Sequence, residues 1–201
     1  MTYMKILLSS NREVLKQYLP INSTVGFIGV AYELKDNQDY IIGLKKSLID
    51  MGYNLIDINI SSDSREDILN KFNILDAVFV SGGNCFYLLQ QLKIKDVFNE
   101  LIEFASKKIY IGESAGACIA SPSIKYVDVL DDINDAPLLS DYSAMNLIDG
   151  YILPHYNSSD KYTLLEDSIM KKNLDVKFIK LSDNQALIVN DREDYHIVST
   201  K

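Results

Sequence analysis

A chain of 201 residues with 47% hydrophobic and 24% charged side chains can bury one full core and keep a wetted surface. Its 20 basic and 28 acidic side chains give a net charge of −8, which disfavours any broad electrostatic grip on nucleic acid or an anionic membrane. No basic stripe with interleaved aromatics occurs, and no apolar run approaches the ~18 residues of a membrane span.

The first predicted strand covers residues 3–8 (YMKILL). The opening has no cationic leader and no small-residue cleavage site, so it reads as a strand and not a signal peptide. Further strands are predicted at 25–30 (VGFIGV), 54–60 (NLIDINI), 75–80 (LDAVFV) and 108–111 (KIYI). Between them, residues 38–51 carry Tyr40, Ile41, Leu44, Leu48 and Ile49 at helical spacing, with Gly52 at the C-cap. A second helix starts near Ser64, where Glu66 and Asp67 in the first turn suit the helix dipole. Two more fit residues 85–92 and 96–106. Strands alternating with helices of this length imply an α/β fold, a mostly parallel sheet with helices on both faces.

After residue 122 the alternation loosens. The stretch KYVDVLDDINDAPLLSDYSAMN is polar, acidic and turn-rich, and is expected to be a long surface excursion. The chain resumes with YILPHY, a helix over 159–171, and short strands around VKFIKL, QALIV and YHIV. No repeat or Pro/Gly-rich linker interrupts it, so one domain over 1–201 is expected.

Residues 110–121, YIGESAGACIAS, hold the most informative pattern. Gly112-Glu113-Ser114-Ala115-Gly116 matches a nucleophile elbow, with a strand before it and small residues opening a helix after it. The hydroxyl of Ser114 would project beyond the strand, and the Ala115 N–H would face an oxyanion formed there. The alternative is a tight glycine-lined turn with Ser114 as a cap. A nucleophilic serine needs a base, and the chain has only two histidines, His155 and His196. His155 follows an apolar strand-like run and should emerge at a strand's C-terminal end, where sites of α/β sheets form. His196 reads as a surface or edge-strand residue. In VSGGNCFYLLQQL, Gly82-Gly83 ends a strand and Asn84 opens a helix, leaving backbone N–H groups for an oxyanion or a substrate carboxylate. Cys85 and Cys118 lack C-x-x-C spacing and neighbouring histidines, which argues for reduced cytoplasmic thiols and against a metal site.

In one order along nearly the whole chain, MKILLSSN, SGGNCFYLLQQL, YIGESAGACIASPSIK, NDAP and LPHY resemble the dipeptidase E (aspartyl dipeptidase) family of serine peptidases. That family shares the three-layer, flavodoxin-like fold of class I glutamine amidotransferases. The resemblance implies hydrolysis of short peptides without a cofactor. It makes Ser114 the nucleophile, His155 its base, and Gly83 with Ala115 the oxyanion donors. The family's acid stands in an Asn-Asp-x-Pro stretch, which points to Asp135. Extra residues, YVDVLDDI, precede that stretch here and leave Asp128, Asp131 and Asp132 as alternatives. Glu113 has no part in this triad; it lines the pocket mouth or faces water.

Family members that cleave after an N-terminal aspartate hold its side chain with an arginine in the loop after the histidine, as a guanidinium fork suits a carboxylate. The arginines here are Arg12, Arg65 and Arg192, none in that loop. NSSDKYTLLED offers only Lys161, which with Asn84 is the candidate substrate contact. Strict aspartate specificity is therefore not expected. Two rival readings are an α/β-hydrolase-type esterase, against which the missing HGGG loop counts, and a catalytically silent relative that binds a peptide or partner.

Overall fold

Along each inner strand, alternate apolar residues point to opposite faces, and both sets are buried. On one face, Leu7, Phe27, Phe79 and Ile111 pack with Ile41, Leu44 and Leu48. On the other, Leu8, Ile28, Val78 and Tyr110 pack with Ile68, Leu89 and Phe104. A sheet buried on both sides between helices is the result. The computed structural model describes residues 6–10, 12–172 and 175–199. Tyr3, Met4 and Lys5 of the first predicted strand lie outside them.

In chain order, β1 (Ile6–Ser9), β2 (Thr24–Ile28), α1 (Asp39–Asp50), β3 (Asn54–Asp57), α2 (Arg65–Ile74), β4 (Ala77–Val80), α3 (Cys85–Ile94), α4 (Phe98–Lys107), β5 (Ile109–Glu113) and the single turn α5 (Ala115–Cys118) form the first part. Then come β6 (Tyr151–Leu153), α6 (Asp160–Lys172), β7 (Phe178–Lys180), β8 (Gln185–Val189) and β9 (Tyr195–Ser199). The central sheet has seven strands in the order β3-β2-β4-β5-β1-β8-β9. Strands β1 to β5 run parallel, and β8 and β9 close one side antiparallel. The fold is thus the expected three-layer α/β arrangement with a mostly parallel sheet. Ser64 caps α2 by accepting from the Asp67 amide, as its place before an acidic first turn requires.

Two features depart from the sequence expectation. Strands β6 and β7 do not join the central sheet; they pair in parallel with each other, Leu153 opposite Lys180. The excursion after residue 122 is also more than a solvated loop. It contains 3-10 turns at Lys125–Val127 and Ile133–Asp135, and it buries Ile124, Tyr126, Val127, Leu139, Met145 and Ile148 in the main core. Its apolar residues follow neither a 2.0 nor a 3.6 period, so nothing in the pattern announced that packing.

Because β4, β5 and β1 are neighbours, their C-terminal ends bring Gly82-Gly83, Ser114 and Ser10 to one edge of the sheet. In open α/β sheets, crevices for ligands form at that edge.

Candidate active site

Ser114 lies directly after β5 with φ 52° and ψ −106°. A left-handed non-glycine residue costs about 1–3 kcal/mol and persists only where its surroundings impose it. Here the Ser114 amide donates to Ser9 O of β1, and its carbonyl accepts from the Ala117 and Cys118 amides. The sharp turn therefore falls on the serine itself. The flanking glycines serve close approach: a methyl on Gly112 would stand 2.4 Å from Gly116 O, and one on Gly116 would stand 2.3 Å from Val80 O. The Ser114 side chain makes no capping bond to α5.

Its hydroxyl instead meets an imidazole. Ser114 Oγ lies 3.0 Å from His155 Nε2, and His155 Nδ1 lies 2.7 Å from Asp183 Oδ1. His155 also has a left-handed backbone, φ 62°. Its amide donates to Ser10 Oγ at 2.9 Å, and the Ser10 hydroxyl donates to Leu181 O, also at 2.9 Å. Ser10, buried at the end of β1, thus ties the histidine loop after β6 to the segment after β7. The Tyr162 ring, 5.5 Å from the imidazole centroid, flanks it.

The carboxylate on the histidine is Asp183, two residues before β8, and Asp135 stands elsewhere. Asn84 Nδ2 donates to Asp135 Oδ2 and to Asp132 O, each at 2.9 Å. Asn84 Oδ1 meanwhile caps α3, accepting from the Phe86 and Tyr87 amides. Asp131 accepts from the Cys85 amide at 2.8 Å, and burial pushes its carboxyl above the usual range. Asp132 accepts from the Asn134 amide, and Asp128 pairs with Lys172. Lys161 falls in α6, and its side chain lies outside the described residues. His196 is exposed on the outer strand β9.

Gly83 and Ala115 line the same cleft as Ser114. Among the described residues, neither backbone amide donates to an acceptor of the chain. Gly83 has φ 142°, and a Cβ there would lie 2.1 Å from Ala31 O, so only glycine fits. The cleft over these groups encloses about 740 Å³. Its floor holds Ser114, His155 and Glu113, and the excursion supplies a wall of Val127, Leu130, Asp131, Asp132 and Asp135. Among the described residues, no group of His, Cys, Asp and Glu side chains is arranged to hold a metal ion, and no helix is long and apolar enough to cross a membrane.

The model of peptidase family S51 matches residues 4–197. The chain belongs to peptidase family S51. Membership makes it a serine-type peptidase, a hydrolase acting on peptides. An uncharacterised peptidase of Listeria innocua is 33% identical to this S51 peptidase over 193 residues, covering 93% of this chain and 92% of the relative. Peptidase E of a Nostoc species is 29% identical over 192 residues, or 90% of this chain and 75% of the relative. A crystal structure of a Listeria monocytogenes protein described as a peptidase E superposes with a TM-score of 0.89 at 29% identity, covering 98% of each chain.

Proposed function

We propose that this S51 peptidase hydrolyses short peptides through Ser114, His155 and Asp183, with the Gly83 and Ala115 amides receiving the oxyanion. The observation that carries the reading is the unbroken run of contacts from Asp183 Oδ1 through the imidazole to Ser114 Oγ, 2.7 and 3.0 Å long. A proton on Nδ1, donated to Asp183, leaves the Nε2 lone pair facing the serine hydroxyl. As Ser114 Oγ attacks the scissile carbonyl carbon, its proton passes to Nε2, and Asp183 stabilises the imidazolium. The carbonyl oxygen, now negative, finds two preset donors that, among the described residues, have no other partner to abandon. The imidazolium then protonates the departing amine, and a water repeats the sequence on the acyl-enzyme.

In this reading the acid role goes to Asp183 and not to Asp135. Asp135 is already engaged by Asn84 across the cleft; its carboxylate suits the free ammonium of a short peptide instead. The excursion lines the cleft with Val127, Leu130, Asp131, Asp132 and Asp135, and a cleft bounded in this way suits short substrates. Among the described residues that line the cleft there is no arginine, so none of them offers an aspartate side chain a bidentate partner, which supports a preference other than aspartate.

The esterase and the silent-binder readings are separated from this one by a fluorophosphonate probe followed by turnover assays. Labelling of the wild type but not of Ser114→Ala, with dipeptides cleaved faster than esters of matched acyl group, is the expected result. No labelling and no turnover would favour a binding protein, and ester turnover alone an esterase.

A further inference from the structure

Glu113 closes β5, two residues beyond Ile111, so the two side chains share a face of the sheet. Ile111 is buried in the cluster formed with α1. At Glu113 the same face reaches the cleft, and the residue lines it while only 3% exposed. Tyr40, in the first turn of α1, donates its hydroxyl to Glu113 Oε1 at 2.6 Å. The Tyr40 ring packs on Tyr32, centroids 4.8 Å apart, and both rings line the cleft. The pair borders the nucleophile. The point where a Cβ on Gly82 would stand is 3.3 Å from Tyr40 Oη and 3.5 Å from Ser114 Oγ.

Resting on the hydrolase reading above, we propose that Glu113, oriented by Tyr40, is a specificity-determining residue that selects a lysine or arginine side chain on the residue whose carbonyl Ser114 attacks. Three independent features of the cleft fit a cationic side chain. A carboxylate stands beside the nucleophile. Two tyrosine rings offer faces that pack a methylene stem and attract a cation. The other charged lining is mostly acidic, with Asp132 held by the Asn134 amide and side chain and Asp135 by Asn84, all neutral donors. Lys35 is the one cation among the described lining residues. An aspartate side chain would meet like charge on two sides, and a leucine would satisfy the rings alone.

The test is a panel of Lys-, Arg-, Leu- and Asp-p-nitroanilides at matched concentration, run on wild type, Glu113→Gln and Tyr40→Phe after fluorophosphonate titration of active enzyme. The expected result is a kcat/KM for Lys or Arg at least about tenfold above Leu, with Asp lowest. The Lys-to-Leu ratio should fall by about tenfold in Glu113→Gln and by a smaller factor in Tyr40→Phe. A labelled wild type with a Lys-to-Leu ratio at or below one overturns the inference alone. So does a ratio unchanged in Glu113→Gln. If that variant does not fold, the wild-type ratio together with that of Tyr40→Phe decides. A wild type that neither labels nor turns over any substrate overturns the hydrolase reading, and this inference with it.

Discussion

Asp183 Oδ1 stands 2.7 Å from His155 Nδ1 although 28 residues of chain separate them. Replacing Asp183 by Asn keeps the shape but favours the wrong imidazole tautomer. Turnover of a short-peptide substrate should drop by about 10⁴-fold with the fold intact. Asp135→Asn should cost far less in kcat and show mainly in KM. Steady-state kinetics on both variants checks this, and a larger kcat loss at Asp135 would return the acid role to the excursion.

Ser114→Ala and His155→Ala should each lower kcat by about 10⁶-fold, and the double variant should be little worse than either, because the pair acts as a unit. Near-normal peptidase activity in either single variant would falsify the assignment.

Ser10 touches no reacting atom in this scheme, yet it holds the histidine's backbone amide and Leu181 O at once. Ser10→Ala should cost about 1 kcal/mol of stability, the worth of a buried hydrogen bond. It should also lower kcat by roughly tenfold with KM little changed, since a small misplacement of a catalytic group is costly. Equal changes in kcat and KM, or none, would show that the histidine is held by other means.

Gly83→Ala places a methyl group 2.1 Å from a backbone oxygen at φ 142°. The expected outcome is destabilisation by more than about 2 kcal/mol, or a displaced loop with fluorophosphonate labelling lost. Chemical denaturation and labelling rates, measured together, distinguish the two routes, and a variant of wild-type stability and reactivity would contradict the geometry.

Asp131 offers a pH test. Burial raises its carboxyl above the ordinary 3.8, against the Cys85 amide and Lys35, which pull it down. The folded chain then binds a proton more readily than the unfolded one, so this residue's contribution to stability is full below pH 3.8 and lost as pH rises through the folded value. Asp131→Asn can still accept from Cys85 and has no charge to bury. Relative to wild type it should gain stability as pH rises from acid to neutral, read from denaturant midpoints. A gain that shrank toward neutral pH would reverse the sign.

The main sheet and the elbow were legible because short-range signals carry them. Alternating apolar strands and α1's helical spacing fix the layers, and Ser114 between two glycines after KIYI fixes the turn. The carboxylate on the histidine was not legible. Asp183 sits in SDNQ, a polar turn with no pattern of its own, and its position depends on a pairing between β6 and β7 that no local period reveals. The family-like NDAP stretch drew attention to Asp135, whose aspartate engages Asn84 in the same cleft. Glu113 was ambiguous for a related reason: one strand residue decides between water and the cleft, and the contact with Tyr40 links positions 73 residues apart.

The parallel pairing of Leu153 with Lys180 has one more consequence. His155 leaves β6 two residues beyond that pair, and Asp183 leaves β7 three residues beyond it. The distance between Asp183 and His155 is thus metered by strand register and not by the length of chain between them. Helix α6, between the two strands, reaches the site through the Tyr162 ring, 5.5 Å from the imidazole, but does not set that register. A single residue inserted between Leu153 and His155, or between Lys180 and Asp183, would uncouple the two while leaving every layer of the fold in place.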